Sequence, residues 1–448
     1  MRSYKSLIVF LIIAAIVAGI AGCGGPGAVV DSSDDFSSAS GDEKAADSSV
    51  SAGPANRAMA AENLMAGVST GGATGRVADD AFASSVAEFA IELFKESVDD
   101  GGNSLISPLS VLLALAMTAN GAGGDTLAQM EVLLGGDIPL VELNEYLLGY
   151  VEGLPSTNKS TLSIANSIWF RDQNDVLRVD EGFLQRNADY YGASAYKAPF
   201  DAQTVSDINN WVKENTDGMI DTILDKIDAA DMMFLLNAVM FDAEWNSVYY
   251  KENISEGDFT DISGAVQVVD FMYSTESQFL DDGMATGFIK HYANGDYSFA
   301  ALLPNEGVAL DAYIDSLTGD GFLSTIQNAE AAVVHASMPK FEFEYELGLN
   351  DALTALGMPD AFDIVRADFS DMAVSSEGNL FISLVLHKTF ISVDELGTKA
   401  GAVTMVAMGA GSAMPVNEKN VRLDRPFVFA IIDNATSLPI FIGTVLVV

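Results

Sequence analysis

Between Lys399 and Glu418 the chain carries no charge, and the run between them, AGAVTMVAMGAGSAMPVN, is built almost wholly of small and aliphatic residues. It follows a strand-like stretch in which Thr389, Ile391 and Val393 alternate with Phe390 and Ser392, then Asp394-Glu395-Leu396-Gly397-Thr398. The run lacks the 3.6-residue period of a core helix. It is also too apolar for an ordinary surface loop. One reading is a segment that is exposed in one state and buried in another, and the rest of the chain decides whether it holds.

The remaining composition narrows the field. The chain has 448 residues, 49% of them hydrophobic, enough for a sizeable core. Its net charge is -41, from 63 acidic and 22 basic residues. Phosphate binding needs clustered Lys and Arg, so nucleic acid is excluded as a partner. The acidity reads as a strongly hydrated surface. Cys23 is the sole cysteine, so no intrachain disulfide and no cysteine-based metal cluster can form. His291, His335 and His387 lack metal-ligand spacing. No metal, no cofactor and no catalytic residue is expected.

Residues 1–22 read as an export signal, with Arg2 and Lys5 before an apolar stretch shorter than a bilayer span. The stretch closes on Ile20-Ala21-Gly22-Cys23, which resembles the lipobox of prokaryotic lipoproteins. Cys23 is the expected lipidation site, tethering the exported product to the outer face of a membrane. The other reading is a plain signal or anchor with an incidental cysteine. Residues 23–78, rich in Ser, Ala, Gly and Asp, read as a disordered acidic linker.

Order is expected from 79 to 448. Phe82, Val86, Phe89, Leu93 and Phe94 share a helical face. Ser107 can cap a helix opening at Pro108 that is apolar nearly all round and hence buried. Further helices are expected from Thr126 to Leu134, from Val205 to Lys213 and from Leu349 to Leu356. Strands are expected at LSIANSIWF and at FLLNAVMF, where the buried amide of Asn237 must find partners. SFAALLP and AVVHASMPKFEFEYEL read as strands, and Phe259, Val266, Val268 and Phe271 suggest a strand pair. Phe427 to Ile432 and Leu438 to Val448 form a core hairpin around Asp433-Asn434-Ala435-Thr436-Ser437. Helices early and strands late, without βαβ alternation, predict a single α+β domain.

The order of these segments resembles the serpin family over the whole ordered region. NSLISPLSVLLALAMTANGAGGDTLAQM, NSIWF, NNWVKENTDGMI, LLNAVMFDAEW, MPKFEFE, LHKTFISVDELGTKAGA and RPFVFAIID…PIFIGTVL all match in sequence. The resemblance implies three β-sheets, about eight or nine helices and an exposed reactive loop. It implies a monomer that inhibits serine, or sometimes cysteine, proteases by a suicide mechanism, through a covalent acyl complex with the target. The loop is cleaved, then inserts as a new strand into the central sheet. The resemblance places Glu395, Gly397, Thr398, Ala400, Gly401 and Ala402 on the hinge. It places Ser107, Ser110, Asn237 and His387 on the shutter beneath the strands that part, and Lys340 with Glu395 in a salt bridge above them.

Side chains alternate along a strand. If Thr398 points inward, so do Ala400, Ala402, Thr404, Val406 and Met408, none of them charged, while Lys399 points out. An inward charge would cost several kcal/mol, so the run suits insertion. This favours an inhibitor over the alternative, a non-inhibitory binding or structural protein of the family. Counting Glu395 as the first, the seventeenth residue is Gly411, which puts the scissile bond between Gly411 and Ser412. Met408, Ala410 and Met414 are alternatives with side chains better suited to a specificity pocket. All suit elastase-like or subtilisin-like proteases, since no Arg or Lys lies between Lys399 and Lys419. A hydrolase reading fails because Ser412 lacks the GxSxG elbow.

Overall fold

The computed structural model describes residues 59–99, 101–172, 174–376, 378–398 and 417–448. The first third holds β1 (Glu62–Asn63), α1 (Asp80–Lys95), β2 (Ser104–Ile106), α2 (Pro108–Ala119), α3 (Gly124–Gly135) and α4 (Leu140–Gly153). Asp79 caps α1, its carboxylate accepting the Phe82 N–H at 3.0 Å. The five expected residues of α1 are buried. All 12 residues of α2 are buried, as its all-round apolarity requires. Ser107 sits at the N-cap of α2, but its hydroxyl does not cap the helix. Its backbone N–H is drawn instead to His387.

Next come β3 (Ser160–Arg171), β4 (Arg178–Val179), α5 (Glu181–Tyr191), β5 (Ser194–Ala198), α6 (Ala202–Asn215) and β6 (Met233–Glu244). A meander of β7 (Ile254–Thr260), β8 (Val266–Asp281), β9 (Ala285–His291) and β10 (Tyr297–Pro304) precedes α7 (Leu310–Ser316) and α8 (Gly319–Gln327). Phe259 and Phe271 are buried in this meander, whereas Val266 and Val268 face out. The chain closes with β11 (Glu330–Pro339), β12 (Phe341–Gly348), α9 (Asn350–Ala355), β13 (Ala373–Val374), β14 (Leu384–Val393), β15 (Gly397–Thr398), β16 (Glu418–Arg422), β17 (Phe427–Asp433) and β18 (Pro439–Val445). Among the described residues, nine α-helices and three sheets make an α+β fold.

The central sheet has seven strands in the order β1-β5-β3-β6-β15-β14-β12. A nine-stranded sheet runs β16-β11-β8-β9-β10-β17-β18-β2, with β7 on β8, and β13 pairs β4 in a third. The terminal hairpin β17–β18 is buried throughout. AVVHASMPKFEFEYEL, expected as one extended segment, turns at Lys340 and serves two sheets: β11 pairs β8, and β12 pairs β14. The Lys340 N–H donates to the Asp270 carbonyl at 3.0 Å at that corner.

A second difference concerns the linker. Residues 59–78 are not free chain. Glu62 and Asn63 pair with Lys197 and Tyr196 at the edge of the central sheet. The N–H groups of Ala60 and Ala61 donate to the Asp207 carboxylate at 2.8 and 2.9 Å. Arg76 pairs with Glu142 at 2.6 Å and lies over the Tyr146 ring. An edge strand offers unpaired backbone groups, and a Ser/Ala/Gly-rich segment can use them without any side-chain period to betray it.

Candidate functional site

The central sheet is closed at one level and open at another. Residues 384–388 of β14 pair in parallel with residues 234–238 of β6. Beyond that the two strands part. The chain leaving β14 turns at Asp394, whose carboxylate accepts the Leu396 N–H at 2.7 Å and the Gly397 N–H at 3.2 Å. It then re-enters the sheet as β15, antiparallel to both neighbours: Thr398 faces Val393 on one side and Ala243 on the other, and Gly397 faces Glu244. Of the hinge residues, Glu395, Gly397 and Thr398 are described. Ala400, Gly401 and Ala402 lie outside the described residues, as do Lys399, Met408, Ala410, Gly411, Ser412, Met414 and Cys23.

Thr398 points inward, 2% exposed, and its hydroxyl meets that of Tyr292 at 2.5 Å. The turn above it is held through its backbone. Trp245 donates its N–H to the Leu396 carbonyl at 2.8 Å and its indole Nε1–H to the Asp394 carbonyl at 2.8 Å. Tyr249 donates its N–H to the Glu395 carbonyl at 2.9 Å. Lys340 Nζ lies 2.6 Å from the Glu395 carboxylate, and this hydrogen bond holds the carboxyl below its ordinary pKa. Both side chains are partly exposed, so the pair adds at most about 1 kcal/mol.

Beneath Trp245 lies a lysine that no sequence pattern singles out. Lys290 is 1% exposed. Its Nζ donates to Glu276 at 3.0 Å and to the Ser247 carbonyl at 3.1 Å, and it stands over the Tyr249 ring. Burial lowers its pKa, and Glu276 opposes that. A charge this deep is tolerated because a carboxylate, a carbonyl and two aromatic faces surround it.

Lower down, where β6 and β14 touch, the structure brings together all four shutter residues. The Ser107 N–H donates to His387 Nε2 at 3.0 Å. With Nε2 accepting, the ring proton is on Nδ1, which faces Asn237 Oδ1 at 3.0 Å. The Ser110 hydroxyl donates to the same oxygen. Asn237 Nδ2 donates to the Ser110 carbonyl at 2.9 Å and to Asn166 Oδ1 at 2.5 Å. Asn237 thus uses all its hydrogen-bonding capacity, as its place in an apolar strand demands. His387 is fully buried, and burial lowers its pKa to about 3. The other histidines are elsewhere: His291 meets the Ser298 hydroxyl at 2.7 Å, and His335 lies on the surface.

Trp245, Tyr249, Tyr292, Lys290 and Asn166 join this region without having been singled out in the sequence. Trp245 ends the matching segment LLNAVMFDAEW, which was its one available signal. Tyr292 is 106 positions from Thr398, and no local pattern joins them.

Comparison with known proteins places this geometry in context. The family model described as Serpin (serine protease inhibitor) matches residues 84–448. Serpin B10 of Sorex araneus is 30% identical over 398 residues, covering 81% of this chain and 98% of that protein. Leukocyte elastase inhibitor A of Rattus norvegicus is 30% identical over 375 residues, covering 80% of this chain and 97% of that protein. Among solved structures, the thermophilic serpin tengpin in its native state aligns with a TM-score of 0.83 at 55% identity, over 87% of this chain and 100% of that one. Tengpin in its latent state aligns with a TM-score of 0.74 at 52% identity, over 83% and 99%.

Proposed function

The chain belongs to the serpin family, whose members are in general protease inhibitors and not enzymes, and from that premise we propose that it is a suicide inhibitor of serine endopeptidases with elastase-like or subtilisin-like preference. The observation that carries this reading is β15, a two-residue strand already seated between β6 and β14 with Thr398 inward. At the inward positions of the chain that follows it, as far as Met408, the side chains are small near the hinge, larger further on and never charged. A strand extended from β15 meets no charge to bury and no bulk at the start. The closer match to the native than to the latent form of one relative supports a central sheet in which β6 and β14 still pair directly.

The steps follow. The protease serine hydroxyl adds to the carbonyl carbon of the scissile residue, Gly411 in this register. The C–N bond to Ser412 breaks and the Ser412 amine leaves with a proton, so the inhibitor is joined to the enzyme as an ester. Freed of its C-terminal tether, the chain beyond Thr398 zips between β6 and β14 and gains backbone pairing on both sides. The ester travels with it, and the displaced protease does not complete hydrolysis.

Cys23 supports a further part of the proposal: the exported protein is lipidated there and acts at the outer surface of a membrane. Cys23→Ala should release it from the membrane fraction; retention would overturn that part. The inhibitor reading is tested with the chain beginning at Gly24, which keeps the whole compact unit from 58 to 448. It is incubated with pancreatic elastase and with subtilisin and run on a denaturing gel. A band at the summed mass, with a released C-terminal fragment starting at Ser412, is the expected result. Loop cleavage without any such band refutes inhibition of those enzymes, and a fragment starting elsewhere moves the scissile bond to Met408, Ala410 or Met414.

A further inference from the structure

We infer that Tyr292 is a positioning residue of the hinge: its hydroxyl holds Thr398 inside the central sheet of the resting molecule, so that insertion begins from a seeded strand. This rests on the inhibitory reading above for its consequence, though the clasp itself is a property of the resting fold.

Three donors hold the turn, the backbone N–H groups of Trp245 and Tyr249 and the Trp245 indole, but they grip the carbonyls of Leu396, Glu395 and Asp394, all upstream of Gly397. They do not decide whether the chain after Gly397 enters the sheet or leaves it. Thr398 is where that choice is made, because it is the first inward side chain. Its hydroxyl lies where water does not reach, and a buried hydroxyl without a partner favours the outward conformation. Tyr292 supplies the partner at 2.5 Å and is itself fully buried.

The Tyr292 ring is fixed. It stacks on Trp245 with centroids 4.5 Å apart and planes at 10°, and meets Phe241 edge-on at 5.1 Å. Its backbone N–H donates to the Tyr297 carbonyl at 3.1 Å, and it forms a β-bridge to Trp245. The hydroxyl is therefore delivered to one point, and that point is on the sheet axis between β6 and β14. Thr398 sits in register with Ala243 and Val393. A strand growing from it continues the same register, so Thr398 need not move when the rest of the loop enters. The clasp seeds insertion and does not restrain it.

The test uses the chain beginning at Gly24 as wild type, Tyr292→Phe, Thr398→Val, Thr398→Ser and the double variant Tyr292→Phe/Thr398→Val. The primary readout needs no protease: hydrogen exchange of the peptide spanning 394–398 in the resting protein. Tyr292→Phe keeps the ring and its stacking, and loss of one buried hydrogen bond should speed exchange about fivefold or more. Thr398→Val should act in the same direction and Thr398→Ser should match wild type. In the double variant both polar partners are gone, so it should be less perturbed than Tyr292→Phe alone. Exchange in Tyr292→Phe equal to wild type, or effects that multiply in the double variant, overturns the clasp. The second readout is partitioning with subtilisin: loop cleavage at the wild-type rate, but severalfold more inhibitor consumed per protease trapped. If the exchange pattern appears while wild type traps no protease, the clasp stands and the inhibitory reading falls. If trapping occurs but Tyr292→Phe partitions as wild type, the seed has no role in insertion and the inference fails.

Discussion

Asn237→Leu is the most informative single change, because Asn237 ties β6 to β14 at the level where they touch. Leucine keeps the branched shape and the number of heavy atoms and removes every polar side-chain atom. Two donors lose their acceptor at once, His387 Nδ1–H and the Ser110 hydroxyl, both buried. Each orphaned buried group costs about 1–3 kcal/mol. The Asn166 oxygen and the Ser110 carbonyl each lose a donor as well, but the first is partly exposed, so water can replace the bond, and the second is a backbone carbonyl of α2 with its place in the helix ladder. The Ser110 hydroxyl can rotate, so the lower end of its range applies. The sum is about 3 kcal/mol, a large share of the ~5–15 kcal/mol that holds a typical fold. The loss should not be uniform. The His387–Asn237 contact exists only while β6 and β14 are adjacent, and a strand inserted between them removes it in the wild type as well. Urea unfolding followed by tryptophan fluorescence should show a clear loss of midpoint for the resting variant. The loop-cleaved variant, with the strand inserted, should lose markedly less. Equal losses in the two forms would refute the idea that this bond locks the closed sheet.

Three further outcomes are expected. Thr398→Arg puts a charge at a position that is 2% exposed, at a cost of several kcal/mol; the hinge should leave the sheet, and elastase or subtilisin should cleave the loop without forming a covalent complex. Lys340→Ala removes a partly exposed ion pair, so it should lower stability by at most about 1 kcal/mol and lose even that in high salt. The pH dependence carries a signature of His387. Its folded pKa of about 3 lies below the ordinary value of 6.5, so between those values the unfolded chain binds the extra proton. The contribution is whole above pH 6.5 and is lost as pH falls toward 3. Between pH 7 and pH 5 it amounts to about 2 kcal/mol. His387→Gln, which can still accept from Ser107 and donate to Asn237, should lose less stability over that interval by about this amount. Parallel pH profiles of the two proteins would show that His387 is protonated without penalty.

Much of the architecture was legible because burial imposes periods. The apolar face of α1 and the all-apolar α2 could be read directly, as could the doubly buried β6 and the terminal hairpin. Asn237 stood out because an amide in an apolar strand must be satisfied. The corner at Lys340 was hidden because a strand pattern gives the alternation of side chains, not the sheet that receives them: Met338 and Phe341 are both buried, in strands of different sheets. The bracing segment at 59–78 was hidden because it is held largely by backbone and by acceptors over a hundred residues away, such as Asp207. Tyr292 and Lys290 were hidden for the same reason, since their partners are set by the sheet order and not by their neighbours in sequence.

The two levels of the central sheet explain why the resting form needs both a lock and a seed. Parting β6 from β14 breaks one parallel contact, which spans residues 384–388 on one strand, and disrupts the Asn237–His387 bond. An inserted strand replaces it with two antiparallel contacts, one on each side. At about 0.5–1.5 kcal/mol net per hydrogen bond, a strand reaching from 399 to 408 would gain on the order of 10 kcal/mol, about twice the cost of opening at the same value per bond. On the proposed inhibitory reading the closed sheet is therefore held by a barrier and not by its depth. The lock sets that barrier at the level of His387, and β15 lowers it from the other end. If the proposed inhibition holds, strengthening the lock should slow spontaneous insertion and the trapping of protease together. Strengthening the seed favours trapping once the loop is cut, while the uncut loop remains tethered at Glu418. The two devices can therefore be tuned apart only because they sit at different heights on the same pair of strands.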